Sequence, residues 1–71
     1  SGRGAVAVGE VGLTGNLRSV PNADRVIQEA VRLGYEAVIL PENNAKQYRG
    51  GADIKVFGAA NVSDAIRAWL S

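Results

Sequence analysis

Hydrophobic positions near the N-terminus follow a pattern that is typical of a β-hairpin. Apolar residues recur through 5–13 and again through 17–20, and the tip Thr14-Gly15-Asn16 separates the two stretches. Glycine and asparagine adopt a positive φ at low cost, which favours a tight reversal of the chain at this tip. We therefore predict that Ala5–Leu13 pairs with Leu17–Val20 as an antiparallel hairpin.

The first arm of this hairpin contains a slip in its apolar pattern. Val6 and Val8 occupy even positions, whereas Val11 and Leu13 occupy odd positions. A strand whose side chains repeat every two residues cannot keep one face through such a slip. We therefore expect a bulge or a bend at Gly9.

The pattern in the middle of the chain changes from strand-like to helical. Apolar residues recur with helical spacing at Ala23, Val26, Ile27, Ala30 and Val31. They predict a helix over 23–33, with Asn22 at its N-cap and Gly34 just past its end. The continuous apolar run Ala37–Leu40, closed by Pro41, predicts a strand that is covered on both faces and has a parallel neighbour.

The last third of the chain predicts a loop, a strand and a helix. Residues 42–52 are polar and end in two glycines, which indicates a surface loop with one helical turn at 44–48. Residues 54–57 predict a strand, and Asn61 is expected to cap a final helix whose apolar face carries Trp69, in the core or at an interface. The predicted order is β-β-α-β-β-α, an α+β fold in one domain over 5–71 after a flexible lead at 1–4.

Composition narrows the chemistry that is available to the chain. Its 71 residues include no cysteine and no histidine, and eight basic residues nearly balance seven acidic ones for a net charge of +1. The commonest metal ligand and the commonest general base near neutral pH are therefore missing, so we expect no metal site, no cofactor and no catalytic residue. No apolar run approaches the ~18 residues of a membrane span, and a cytoplasmic setting without membrane contact is expected.

Cationic side chains are the candidates for contact with a nucleic acid. Arginine binds phosphate oxygens with two parallel hydrogen bonds, which makes Arg18, Arg25 and Arg32 the first candidates, with Lys46 and Arg49 behind them. The last two flank Tyr48, and single-strand binders use such mixtures of charge and stacking. A solvated helix face and a plain surface loop remain the alternative interpretations of these residues.

One stretch near the N-terminus resembles a known family signature; it is residues 8–18, Val-Gly-Glu-Val-Gly-Leu-Thr-Gly-Asn-Leu-Arg. The signature is that of the Lon-protease-like C-terminal domain of RadA (Sms), a family of bacterial DNA repair and recombination ATPases. Residues 25–34, residues 37–41 with Asn43 or Asn44 after them, and residues 56–66 are similar to later parts of that domain. The resemblance implies the C-terminal half of a ribosomal protein S5 domain 2-like fold. It also implies a segment of a ring-forming parent protein that contacts DNA.

The resemblance further implies that protease chemistry is absent. In Lon proteases the catalytic lysine lies in the first turn of the helix after the hairpin, and Asp24 occupies that position here. An aspartate cannot supply the amine base of a Ser-Lys dyad. The expected function is therefore oligomer assembly and DNA contact by a non-catalytic segment, with self-association and no small-molecule substrate. A purely structural oligomerisation module and a fragment of a Lon-type Ser-Lys protease are the two alternatives.

Overall fold

The computed structural model describes residues 4–70, so most of the predicted lead at 1–4 lies outside the described residues. The elements in chain order are β1 (Ala5–Ala7), β2 (Glu10–Val11), β3 (Leu17–Arg18), α1 (Ala23–Arg32), β4 (Ala37–Pro41), α2 (Glu42–Gln47), β5 (Lys55–Ala59) and α3 (Val62–Leu70). Three strands form a parallel sheet in the order β1-β4-β5, and β2 pairs with β3 separately. The described part of the chain is thus a small α+β domain.

Strand β4 lies at the centre of the fold, and all five of its residues are buried. It runs parallel to both β1 and β5, as the apolar run predicts. Val38 and Leu40 belong to the core cluster that also contains Ile27 and Ala30 of α1. Ile39 points to the opposite face of the sheet, where it lies beside α3. The prediction of a strand covered on both faces is confirmed.

Helix α1 forms where its apolar stripe predicts it, and Gly34 with φ +90° follows its C-cap residue. At the other end Asn22 occupies the N-cap position with φ 56°. Its side chain makes no capping hydrogen bond, and its carbonyl oxygen accepts from the amide of Arg25 at 3.0 Å. The N-cap position is therefore confirmed, although the expected side-chain cap is not formed.

The long first arm of the predicted hairpin is wrong, because the chain divides near Gly9. Residues before the division form β1 and pair with β4, whereas β2 alone pairs with β3. A Cβ atom at Gly9 would lie 3.1 Å from Cγ of Pro41, so the chain crosses closely over the end of β4. The expected break is found at this glycine, and it separates two sheets rather than bending one strand.

The predicted loop over 42–52 is also partly wrong, because its first half is helix α2. This helix lies directly on β5: a Cβ atom at Gly58 would be 3.0 Å from Cβ of Ala45 and 3.3 Å from Cα of Glu42. The strand accordingly continues through Gly58 to Ala59. The observed order β-β-β-α-β-α-β-α replaces the predicted β-β-α-β-β-α.

The turn between β2 and β3 is a three-residue loop over 13–15. The amide of Gly12 donates to the carbonyl of Asn16 at 2.8 Å, and the amide of Gly15 donates to the carbonyl of Gly12 at 3.1 Å. Gly15 has φ +83°, the conformation that closes such a loop and that glycine adopts without strain. Leu13 at the tip is fully exposed.

Main-chain hydrogen bonds tie this hairpin to the start of α3. The carbonyl of Gly15 accepts from the amide of Val62 at 2.9 Å, and the amide of Leu17 donates to the carbonyl of Ala60 at 2.9 Å. Between them Oδ1 of Asn61 accepts from the amide of Asp64 at 2.8 Å, which confirms the predicted N-cap. The hairpin and α3 therefore hold a fixed relative position.

Candidate nucleic-acid interface

The five predicted DNA-contacting cations are all exposed, but they do not form one patch. Arg18 lies on β3, directly opposite Glu10 of β2 in the register of the hairpin. Arg25 and Arg32 lie on α1, Lys46 lies on α2, and Arg49 follows α2 by two residues. Whether any of them contacts DNA stays a prediction, and the structure sorts them by their neighbours.

Arg32 is held by an acid on its own helix. Its guanidinium donates to both carboxylate oxygens of Glu29, with 3.1 Å between Nε and Oε1. The hydrogen bonds from Arg32 lower the pKa of Glu29, and Glu29 raises the pKa of Arg32 in turn. Within residues 4–70 this is the only ion pair. Within the described residues, Arg32 is therefore in an ion pair, and none of the other four predicted cations forms one.

A polar groove runs between α1 and the segment that follows α2, and we call it the amide groove. It consists of two adjoining depressions with volumes of about 470 and 620 Å³. Both depressions are lined by Asp24, Ile27, Gln28, Gln47 and Tyr48. Arg25 lines the first depression and Arg49 lines the second, so the groove brings together two of the predicted cations.

Tyr48 is a fixed part of the wall of the amide groove. Its hydroxyl oxygen accepts from the amide of Ala52 at 2.9 Å, and its ring packs against the hydrophobic core cluster. These contacts hold the ring in place, so it is not a freely rotating platform for stacking. The sequence predicted a surface loop at this point, and the structure places the ring against the core.

Asn44 fixes the loop that leads into α1. It is 7% exposed, and its side chain bonds both backbone groups of Val20: Oδ1 accepts from the amide at 2.8 Å, and Nδ2 donates to the carbonyl at 3.1 Å. The side-chain amide thus makes the same pair of hydrogen bonds that a neighbouring β-strand would make to Val20. This bidentate contact sets where α1 begins, and with it the position of Arg25.

Asp24 is exposed in the first turn of α1 and lines both depressions of the amide groove. A carboxylate there accepts hydrogen bonds and cannot provide the amine base that the Lon comparison would require. Within residues 4–70 no group of three His, Cys, Asp or Glu side chains is arranged to hold a metal ion. Asp24, Gln28 and Gln47 give the groove hydrogen-bond donors and acceptors.

A second groove, of about 430 Å³, lies on the opposite face of the sheet between the hairpin and α3. We call it the apolar groove; its lining includes Val11, Leu17, Ile39, Val62, Ile66, Trp69 and Leu70. Trp69 is 52% exposed and Leu70 is 78% exposed. Of the two positions expected for Trp69, the core is therefore wrong, and a position at an interface stays a prediction.

Sequence reasoning identified Arg25, Asp24 and Arg49 but missed the two glutamines of the amide groove. Gln28 lies one turn after Asp24 on the polar side of α1, and Gln47 ends α2. An exposed glutamine on a helix carries no sequence signal of binding, because the same residue is common on solvated helix faces. Only the packing of α2 against β5 shows that the two amides line the same groove.

No helix within residues 4–70 combines the length and the apolarity that crossing a lipid bilayer requires. The fold and its surfaces thus define a small α+β segment with a hydrogen-bonding groove on one face and an apolar groove on the other.

The chain is similar to bacterial DNA repair proteins named RadA. It is 38% identical over 65 residues, or 92% of its length, to the protein of Halalkalibacterium halodurans. The identity is 40% over 63 residues for Bacillus subtilis and 36% over 64 residues for Escherichia coli. Each match spans only 14% of the relative. No protein-family model matches the chain. The resemblance to the RadA family is therefore confirmed, for a segment of RadA.

Proposed function

We propose that this chain is a non-catalytic, Lon-like segment of a RadA-type DNA repair and recombination ATPase, and that it serves DNA contact and assembly with other copies. The observation that carries the proposal is the similarity to RadA proteins over about nine tenths of the chain. The fold proposed for the complete domain is the ribosomal protein S5 domain 2-like fold, of which this segment forms the C-terminal half.

The non-catalytic character is supported by the residue at the position of the Lon lysine. Asp24 lies there, exposed beside Gln28 and Gln47, and an aspartate cannot act as the base of a Ser-Lys dyad. In this proposal the segment has no cofactor, no metal and no small-molecule substrate of its own. The ATPase activity belongs to other parts of the parent protein.

DNA contact is supported by the exposed cations rather than by bulk charge. A net charge of +1 provides little non-specific attraction, so binding must come from a few well-placed side chains. Arg25 and Arg49 both lie on the surface without an ion pair in the described part of the chain. A segment with so few phosphate contacts binds weakly alone, and the ring of the parent protein would multiply the contacts.

Fluorescence anisotropy of labelled single-stranded DNA tests this contact. We expect the chain to bind in a salt-sensitive manner, and binding is lost when the five predicted cations Arg18, Arg25, Arg32, Lys46 and Arg49 are replaced by alanine. A control variant replaces Lys55 and Arg67, two exposed cations that were not predicted to contact DNA, and keeps its affinity. Absence of salt-sensitive binding by the unmodified chain would contradict DNA contact.

Assembly is supported by the apolar groove, since exposed apolar surface of this kind is typical of interaction sites. Light scattering at micromolar concentration is expected to give a dimer or a larger species for the unmodified chain. Replacing Ile66 and Trp69 with alanine is expected to give a monomer with an unchanged circular dichroism spectrum. Arg67→Ala, on the same helix but outside the groove lining, serves as the control. A monomeric unmodified chain contradicts self-association by this segment.

A purely structural assembly module is the second candidate function, and the same apolar groove favours it. In that case the variant with Ile66 and Trp69 replaced is monomeric, while the five-cation variant forms the same oligomers as the unmodified chain. The two experiments together therefore separate DNA contact from assembly. The third alternative, a fragment of an active Lon-type protease, is disfavoured by Asp24.

A further inference from the structure

The two depressions of the amide groove carry one unpaired arginine each. Arg25 lines the first depression and Arg49 lines the second, with the shared lining between them. Neither arginine makes an ion pair within residues 4–70. Two cations that are separated along one groove match successive phosphates of an extended backbone better than they match one compact anion.

The shared centre of the groove has a different chemistry from its ends. Gln28 and Gln47 each offer donors and an acceptor, and the carboxylate of Asp24 offers acceptors only. The Watson–Crick edges of unpaired bases carry both donors and acceptors, and a carboxylate can accept from an exocyclic amino group. In a duplex those edges are already paired. The centre therefore complements unpaired bases.

The wall at the Arg49 end lets a ligand approach the main chain closely. Gly50 and Gly51 line the second depression and have φ of +90° and +100°. Neither would place a Cβ atom within 4 Å of another described group, so the space beside them is open. Tyr48 next to them is fixed by its bond to Ala52. This end of the groove is thus open beside a rigid ring, and its lining also includes the acidic residue Asp53.

From this arrangement we infer that the amide groove is a binding site for a single strand of nucleic acid. Arg25 and Arg49 contact phosphates, while Gln28, Gln47 and Asp24 contact base edges. The inference rests on the proposed DNA contact and adds its location and its preference for unpaired strands. Arg18 and Arg32 lie outside the lining of this groove.

Two double variants with the same change in charge test the location. Arg25→Ala with Arg49→Ala removes the groove cations. Lys55→Ala with Arg67→Ala removes two cations outside the groove that were not predicted to contact DNA, and serves as the matched control. All four side chains are exposed, so both variants should fold, which circular dichroism checks. Anisotropy is measured with a mixed-sequence labelled single strand at several salt concentrations. The loss of two phosphate contacts should reduce the slope of log K against log salt by about 1.4, and the control should keep the slope.

Replacing Gln28 and Gln47 with alanine tests the base contacts. This variant keeps all cations, so we expect about threefold weaker binding to the single strand with an unchanged salt slope. A hairpin duplex with the same base composition is the comparison ligand. The unmodified chain should bind the single strand more tightly than the duplex, and the glutamine variant should lose much of that difference.

The outcomes separate this inference from the function on which it rests. Equal weakening by the two double variants would show diffuse attraction and would overturn the groove, as would a loss confined to the Lys55 and Arg67 variant. Equal affinity for duplex and single strand would overturn the preference for unpaired bases. In all three cases DNA contact by the chain would stand. If the unmodified chain binds neither ligand, the proposed DNA contact itself fails.

Discussion

Replacing Asn44 with alanine is expected to lower the free energy of unfolding by about 3 kcal/mol. The substitution removes two hydrogen bonds at once and leaves the amide and the carbonyl of Val20 without their partners. Since Asn44 is 7% exposed, water does not simply replace the lost side chain. Urea unfolding followed by circular dichroism measures the change.

Asn43→Ala is the control for this prediction, because Asn43 is an exposed residue of the same helix. It changes the same side chain to the same residue without disturbing the contact with Val20. If the two variants are equally stable, the bidentate bond does not support the fold. The Asn44 variant should also bind single-stranded DNA less tightly, because Asn44 borders the first depression and fixes the approach to α1.

Leu40→Ala is expected to cost about 2–5 kcal/mol, the range for leucine truncations in well-packed cores. Leu40 is fully buried in the central strand and packs in the cluster with Ile27, Ala30 and Val38. A domain of this length has a total stability of only about 4–10 kcal/mol, so the substitution should remove a large part of it and lower the midpoint of thermal unfolding. Thermal unfolding followed by circular dichroism measures the loss.

The chain supplies a matched control for this truncation at the tip of the hairpin. Leu13 is fully exposed, so Leu13→Ala makes the same chemical change without creating a cavity. Its midpoint of thermal unfolding should stay within a few degrees of that of the unmodified chain. A Leu40 variant as stable as the Leu13 variant would mean that β4 is not the centre of the core.

The periodicity of apolar residues was sufficient to predict the position of the elements that bury a defined face. The stripe of α1 and the apolar run of β4 are found where they were predicted, because burial alone determines both patterns. The slip in parity correctly located the break at Gly9. It could not show that the residues before the break pair with β4, since Val6 and Val8 fit a hairpin and a parallel sheet equally well.

Helix α2 was predicted only as one helical turn at 44–48, because it has no apolar stripe. Of its six residues only Asn44 is buried, and the sequence Glu-Asn-Asn-Ala-Lys-Gln is polar throughout. The helix forms against β5, where Gly58 permits a close approach of Ala45. That approach depends on tertiary packing, which outweighs local propensity in a helix this short.

The amide groove was only partly accessible from the sequence for a related reason. The arginines could be named as candidates from their chemistry, but the spacing along α1 favoured Arg25 as the partner of Glu29, and the structure pairs Glu29 with Arg32. Only the structure shows that one lines the groove while the other is paired with Glu29. The placement of Gln28 opposite Gln47 depends on contacts between residues that are far apart in the sequence.

The connection of β1 to the sheet also has a consequence for folding. Strand β1 must reach β4 across the hairpin and α1, whereas β4 meets β5 after one short helix and a loop. Closing the shorter loop costs less entropy, so we expect β4, α2 and β5 to associate first and β1 to dock late. The apolar groove needs β1, the hairpin and α3 together. Its surface therefore exists only once folding is complete, so a partly folded chain could not yet assemble through it.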